Sequence, residues 1–170
     1  MFNVIIYNDE MKEELIDIST INRAENMFRE RDNLTSFTSD LSSLTNGYGM
    51  FRSCSNLTTF KGDLSSLTNG YEMFYGCSNL TTFTSDSNGS PVNLSSLTNG
   101  YQMFYGCSKL TTFASDLNSL RGGRYMFRGC ENFTTFTSDM SSLTDGSWMF
   151  SGCSNLTTFK SDLSSLTDGS

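Results

Sequence analysis

The chain of 170 residues contains no histidine, one proline and one tryptophan. Without histidine, the Ser-His and Cys-His pairs of hydrolases and all His-ligated metal sites are excluded. The five cysteines never form the CxxC spacing that a cysteine metal site requires. The sequence therefore predicts no enzyme, no cofactor and no metal centre.

Two further absences concern partners. The net charge is −7 and no basic stripe is present, which argues against nucleic acid as a partner. No apolar run is long enough to span a membrane, and the opening MFNVIIYNDEMKEEL lacks the basic region of a signal peptide. We expect no membrane insertion, whereas export through a signal preceding this start stays open.

The strongest positive feature is a repeated Met-Phe dipeptide, with successive steps of 23, 23, 30, 23 and 23 residues. A unit this short cannot bury its own apolar face and must stack on its neighbours, so the chain is predicted to be a solenoid. We number the copies one to six by these pairs: Met27-Phe28, Met50-Phe51, Met73-Phe74, Met103-Phe104, Met126-Phe127 and Met149-Phe150.

Apolar residues fall into register between copies and predict the core. Besides the Met-Phe pairs, the columns contain Leu34, Leu57, Leu80, Leu110, Phe133 and Leu156; Phe37, Phe60, Phe83, Phe113, Phe136 and Phe159; and Leu44, Leu67, Leu97, Leu120, Leu143 and Leu166. The LTTF segments have strand composition and predict a parallel sheet. We expect each Asn-Gly to form a tight turn with positive φ, and the GYxMFxGC segments to form short helical or 3₁₀ turns.

The predicted organisation is an N-terminal cap with a degenerate repeat over residues 1–26 and a solenoid of about six 23-residue repeats over 27–170. The cap comprises the apolar run from Phe2 to Tyr7, a charged stretch and a degenerate copy at residues 17–21. An insertion at residues 87–93 has the composition of a surface loop, which should disturb only one edge of the stack. No counterpart of the cap is evident near Ser170, so we expect that uncapped end to be covered either by further chain in the natural protein or by another subunit through self-association.

The strings SSLTNGYEMF and MFYGCSNLTTF, which overlap at Met73-Phe74, resemble the repeats of the BspA-like leucine-rich-repeat group of bacterial surface proteins. The resemblance extends from about Asp17 to the last residue. Phe37 and its equivalents stand where an aliphatic residue is more usual, and Asp replaces the common Pro after the strand. The family implies a right-handed leucine-rich-repeat-like solenoid, mostly β, placed at the cell surface or secreted and used in adhesion.

Three other columns offer chemistry, each with a structural alternative. One cysteine per copy, from Cys54 to Cys153, is interpreted as a buried, reduced thiol. The aspartate column either caps the following turn or forms a calcium ladder: Asp40, Asp63, Asp86, Asp116, Asp139 and Asp162. Outward threonines resemble an ice-binding ladder, but Lys61, Ala114 and Lys160 interrupt it, so strand propensity explains them better.

Around each Met-Phe pair lie columns that vary between copies, and we call them together the variable edge. The pre-Met column contains Gly49, Glu72, Gln102, Tyr125 and Trp148, and the post-Phe column contains Arg52, Tyr75, Tyr105, Arg128 and Ser151. Tyr48, Tyr71, Tyr101 and Arg124 lie beside them. Tyr, Trp and Arg are enriched in binding hot spots, although tyrosine also covers turns as ordinary packing. The predicted partner-binding residues are Arg52, Tyr75, Tyr105, Arg128, Tyr125 and Trp148.

Two functions follow from these observations. The first is a non-enzymatic binding or adhesion module that contacts a protein or a glycan through the variable edge. The second is a structural spacer or particle component with no specific small ligand.

Overall fold

A computed structural model describes residues 3–7 and 13–170. Two antiparallel strands come first, β1 (Asn3–Tyr7) and β2 (Glu13–Asp17). Within the described residues all further strands are parallel: β3 (Ser36–Asp40), β4 (Thr59–Asp63), β5 (Thr82–Thr84), β6 (Thr112–Phe113), β7 (Thr135–Thr137) and β8 (Thr158–Lys160). The fold is therefore the expected mostly-β solenoid.

Each strand pairs with its counterpart one period away. Phe37 lies opposite Phe60, and Phe60 lies opposite Phe83, in the sheet β3-β4-β5. Phe113, Phe136 and Phe159 align in the same way in the sheet β6-β7-β8. The strands begin at the second threonine of LTTF, two residues later than the motif predicts, and place phenylalanine inward and threonine outward.

A second ladder runs along the other side of the stack without interruption. Single parallel bridges join Arg23, Asn46, Asn69, Asn99, Gly122, Asp145 and Asp168 in that order. The amide groups extend the ladder into the side chains, since Asn69 Nδ2 donates to Asn46 Oδ1 and Asn99 Nδ2 donates to Asn69 Oδ1, both at 3.1 Å. These partly buried amides therefore add side-chain hydrogen bonds to the backbone ladder.

Phenylalanine rings form the centre of the core. In one column Phe51, Phe74 and Phe104 stack with ring centroids 5.2 and 5.4 Å apart. In the facing column Phe60 and Phe83 stack at 5.4 Å, and each ring meets its neighbour in the first column edge-on. Offset stacking and edge-to-face contacts are the two favourable geometries of aromatic pairs. Most members of the predicted core columns are buried, whereas Phe159 in the last copy is exposed.

The insertion at residues 87–93 separates the two three-stranded sheets. β5 has no strand partner in β6, yet the bridge between Asn69 and Asn99 continues across the insertion. The prediction that only one edge is disturbed is therefore confirmed. The insertion is more than a surface loop, because Val92 is buried in the inward position that Ser39 and Gly62 occupy in earlier copies.

The turn that contains Met-Phe forms no helix in the part of the chain that the structure describes. Met73 N donates to Gly70 O and Tyr75 N donates to Glu72 O, which are the expected 3₁₀-type bonds. The amides between them donate instead to the next copy, as Phe74 N does to Met103 O at 2.9 Å. Successive backbone amides thus donate alternately to a carbonyl of the same turn and to a carbonyl of the next copy, so a run of consecutive helical hydrogen bonds cannot form.

The interpretation of Asn-Gly as a positive-φ turn is wrong. Gly47, Gly70, Gly100 and Gly146 are absent from the residues with positive φ. These glycines provide space instead, because a Cβ atom on Gly70 would lie 2.8 Å from Met103 Sδ of the next copy. The left-handed residues lie elsewhere, in the pre-Met column and at the residue two after each Phe, such as Gly76.

At the N-terminal end, Ile18 and Ala24 are buried and the bridge between Arg23 and Asn46 continues the ladder. Phe2 and most of the charged stretch of the expected cap lie outside the described residues. The division into a cap over 1–26 and a solenoid over 27–170 stays a prediction. Within residues 3–7 and 13–170 there is no helix that could cross a membrane.

Candidate functional site

The backbone of the variable edge is left-handed at the pre-Met column. Glu72, Gln102, Tyr125 and Trp148 all have φ between 53 and 59°. A left-handed conformation costs an L-residue about 1–2 kcal/mol, and glycine is the residue that avoids this cost. Gly49 occupies the same column in copy two, so the use of bulky side chains in later copies is not a requirement of the fold. Strain of this kind motivates a hypothesis of function.

Two rows of tyrosines run along the edge. In the first row Tyr71 and Tyr101 stack with ring centroids 4.8 Å apart and an interplanar angle of 10°, and Tyr48 lies 5.2 Å from Tyr71. In the second row Tyr75 and Tyr105 stack with the same spacing and angle. The spacing equals that of parallel strands, because equivalent positions repeat along the stack.

Arginines lie at the ends of the second row. The guanidinium of Arg52 lies 4.5 Å from the Tyr75 ring centroid and forms an ion pair with Glu72. At the other end Arg128 lies 5.8 Å from the Tyr105 centroid and 5.3 Å from that of Tyr125. Cation–π contacts of this kind are worth about 0.5–1 kcal/mol at exposed sites.

A third arginine joins the cluster around Tyr125. Arg124 lies 4.9 Å from the Tyr125 ring centroid, and its Nη2 donates to the Tyr125 hydroxyl at 3.2 Å. This hydrogen bond raises the pKa of Arg124 above its ordinary value. Burial raises the pKa of Tyr71 in the first row. At neutral pH the phenol of Tyr71 is therefore neutral and the guanidinium of Arg124 is charged.

Five of the six predicted site residues form one contiguous group, from Arg52 through Tyr75 and Tyr105 to Arg128 and Tyr125. Trp148 is 51% exposed, and no ring contact or hydrogen bond of its indole is found among the described residues. Sequence reasoning missed the ion pair of Arg52 with Glu72. The spacing of the two residues could have indicated it. Arg52 and Glu72 are 20 residues apart, so in a 23-residue repeat they lie on adjacent copies and differ by three positions within the repeat.

The aspartate column caps turns. Asp40 Oδ1 accepts Ser42 N and Asp63 Oδ1 accepts Ser65 N, which confirms the capping interpretation. Hydrogen bonds from Ser42 lower the pKa of Asp40. Asp86 departs from the expectation, since it accepts Asn88 N and Ser90 N within the insertion while Asn93 caps Ser95 in its place.

The calcium alternative for this column has no support in the described residues. Asp40, Asp63 and Asp86 line a depression of about 290 Å³ together with Lys61. Lys61 interrupts the outward threonines between Thr38 and Thr84, as the sequence predicts. No group of three carboxylate or thiol residues with metal-binding geometry occurs within residues 3–7 and 13–170.

The cysteines are free thiols in the core. The thiol of Cys77 donates to Phe51 O at 3.1 Å, and Cys107 donates to Phe74 O at 3.2 Å, so each thiol links adjacent copies. Burial raises the pKa of Cys54 to about 11 and that of Cys107 further. The column is structural.

Two family models match the chain. One, described as "BspA type Leucine rich repeat region (6 copies)", matches residues 91–168, and the other, "Mycoplasma protein of unknown function, DUF285", matches residues 1–116. Neither a curated protein nor a solved structure gives a match. The first model confirms the resemblance drawn from MFYGCSNLTTF, and the second covers more than half of the chain. The C-terminal part of the chain is thus a BspA-type leucine-rich-repeat region, and the chain as a whole belongs to the DUF285 family.

Proposed function

We propose that this protein is a non-enzymatic binding or adhesion module, which contacts a protein or a glycan through the variable edge. BspA-type leucine-rich repeats suggest a repeat protein used for surface or protein interaction. The observation that carries the proposal is the pair of tyrosine rows with arginines at the ends of one row, beside the left-handed residues of the pre-Met column. Tyrosine, tryptophan and arginine are the residues that dominate binding energies at interfaces.

The side chains of the edge suit recognition because their positions are fixed before binding. Tyr75 and Tyr105 stack on each other, and Arg52 and Arg128 lie against the two ends of that stack. Groups that are already ordered lose little conformational entropy when a partner binds. These columns vary strongly between copies, whereas most of the core columns beneath them keep the same residue.

The proposal is tested by probing protein and glycan arrays with the purified chain and with Tyr75→Ala, Tyr105→Ala and Arg128→Ala variants. A ligand of the edge should bind each variant at least about tenfold more weakly, as expected when a hot-spot residue is truncated. Thr137→Ala and Lys160→Ala are the controls, because both residues are exposed on the sheet face. A ligand lost equally from all variants, or no ligand at all, would argue against a binding edge.

A second candidate function is assembly, and the end of the stack near Ser170 favours it. Phe159 is 42% exposed there, and Leu156, Leu163 and Leu166 are only partly buried. An exposed apolar patch is typical of an interaction site. We infer that the 170-residue chain, taken by itself, pairs with a second copy through this face.

A further inference from the structure

Arg52 and Arg128 occupy the same post-Phe column but have different surroundings. The Arg52 guanidinium lies over the Tyr75 ring and pairs with Glu72. Glu72 belongs to the pre-Met column of the next copy, and its side chain is almost fully buried. The arrangement at copies two and three is therefore a guanidinium held between an aromatic ring and a carboxylate from the same chain.

At Arg128 the carboxylate is missing. The pre-Met residue of the next copy is Trp148, whose side chain is exposed. Arg128 still lies over tyrosine rings, at 5.8 Å from Tyr105 and 5.3 Å from Tyr125. Arg128 itself forms no ion pair with an acidic residue within residues 3–7 and 13–170.

Arg124 adds a second positive charge at the same place. Its guanidinium lies 4.9 Å from the Tyr125 ring centroid, so two cations share one aromatic ring. Arg124 also forms no ion pair within residues 3–7 and 13–170. Asp145 acts on Arg124 electrostatically without forming an ion pair, and the two guanidinium groups together attract an anion that approaches this ring. Such a cluster is unusual in a chain with a net charge of −7.

We propose that Arg124, Arg128 and Trp148 bind an acidic polypeptide segment. A carboxylate of the segment pairs with Arg128 in the way that Glu72 pairs with Arg52, and a neighbouring apolar side chain packs on the Trp148 ring. Arginine is suited to this role because its planar fork matches a carboxylate with two parallel hydrogen bonds. The inference rests on the proposed function and assigns a ligand chemistry to one end of the variable edge.

The tyrosine rows favour a polypeptide over a glycan. Sugars bind aromatic residues through the open face of a ring, and the facing surfaces of Tyr71 and Tyr101 are closed by their stacking at 4.8 Å. The facing surfaces of Tyr75 and Tyr105 are closed in the same way. Stacked rings present hydroxyl groups and ring edges, which can hydrogen-bond an extended peptide backbone.

The experiment uses Trp148 as its own reporter, since it is the only tryptophan in the chain. The purified 170-residue protein is titrated with the peptide acetyl-Glu-Glu-Phe-Glu-Glu-amide and with the same peptide carrying glutamine in place of every glutamate. We expect a saturable change in Trp148 fluorescence with the acidic peptide, and binding about tenfold weaker or absent with the glutamine peptide. Added salt should weaken the acidic complex.

Variants then locate the contact, with fluorescein-labelled peptide and anisotropy as the readout. Arg128→Gln should weaken binding about tenfold, whereas Lys109→Gln removes the same charge from an exposed site elsewhere and should have no effect. Trp148→Gln and Trp148→Glu place there the residues that copies four and three use naturally. Trp148→Glu should bind about tenfold more weakly than Trp148→Gln, because the new carboxylate occupies Arg128. Thermal melts verify that each variant folds.

Three results would overturn the inference: equal binding of both peptides, equal effects of Arg128→Gln and Lys109→Gln, or equal affinity of Trp148→Glu and Trp148→Gln. A hyaluronate oligosaccharide, which also carries carboxylates, is tested in parallel. Its binding without that of the acidic peptide would refute the polypeptide while the binding module stands. An array ligand whose binding depends on Tyr75 and Tyr105 but not on Arg128 would support the binding module and refute the acidic-segment site.

Discussion

The glycines that follow four of the bridge positions are packed against the methionine of the next copy: Gly47, Gly70, Gly100 and Gly123. A Cβ atom on Gly70 would lie 2.8 Å from Met103 Sδ and 3.2 Å from Leu97 Cδ1. The dipeptide Asn-Gly is a strong hairpin signal, which is why its sequence suggested a turn. The reason for the glycine lies one copy away, and local sequence patterns carry no information about that contact.

We expect Gly70→Ala to destabilise the protein by about 1–3 kcal/mol, because the added methyl group overpacks the core. Urea unfolding measures the change. Gly122→Ala is the matched control, since the nearest atom to its Cβ, Asn99 Oδ1, is 3.9 Å away and asparagine occupies this position in other copies. Equal destabilisation by both changes would contradict the packing role.

The thiols give a second prediction at this scale. Burial raises the pKa of Cys54 and Cys153 to about 11, and that of Cys77 and Cys130 further, so few thiolates exist at neutral pH. We expect native protein to react slowly with a thiol reagent, Cys153 first, because it is only partly buried. In denaturant all five should react at once. Rapid labelling of Cys107 in the native state would show that the column is accessible.

At the scale of elements, the repeat tolerates an insertion because neighbouring residues take over the missing roles. Val92 fills the inward position before Leu94, and Asn93 Oδ1 accepts Ser95 N at 2.9 Å as aspartates do in other copies. The sequence period located the insertion and predicted its limited effect. The sequence could not show that Asp86 forms its hydrogen bonds inside the insertion, because either Asp86 or Asn93 can cap the turn that follows.

Deletion of residues 87–93 should restore the 23-residue period and allow β5 to pair with β6. Ser85 would then take the position of Val92, and Asp86 would cap Ser95. The lost burial of Val92, about 1.5–3 kcal/mol, is offset by strand pairing and a shorter connection, so stability should change by less than about 2 kcal/mol. Urea unfolding compares the deletion with a seven-residue Gly-Ser replacement, which lacks Val92 but keeps the break and should be the less stable variant. A deletion that fails to unfold cooperatively would contradict this account.

At the scale of the molecule, the variable edge was predictable as a set of columns but not as a set of contacts. A fixed period predicts which residues are neighbours, and it correctly grouped Tyr75, Tyr105 and Arg128. Side-chain direction depends on the left-handed backbone at the pre-Met column, and nothing in the composition of Glu72, Gln102, Tyr125 and Trp148 indicates positive φ. The repeat spacing alone could place Arg52 near Glu72, but that the two form an ion pair, and that Arg128 lies against tyrosine rings, was recognised from the structure.

The apolar face near Ser170 leads to the last prediction. The rings of Phe150 and Phe159 pack edge-on with their centroids 5.4 Å apart. In the 170-residue chain no further copy covers Phe159, which is exposed. Burying such a face against its own copy is favourable at about 25 cal/mol per Å² of apolar surface. A contact between like faces closes on itself, so assembly should stop at a dimer. Sedimentation velocity over a concentration series should show a reversible monomer–dimer equilibrium for the 170-residue chain.

The paired change Phe159→Lys and Leu166→Lys should hold the protein monomeric, because like charges would face each other across the contact. Thr137→Lys adds one charge on the exposed sheet face away from the end, and it should leave the dimer intact. Growth beyond a dimer would indicate contacts between unlike surfaces, which do not close. A monomer at every concentration, with the charged variants indistinguishable from the unmodified chain, would show that this face does not drive assembly.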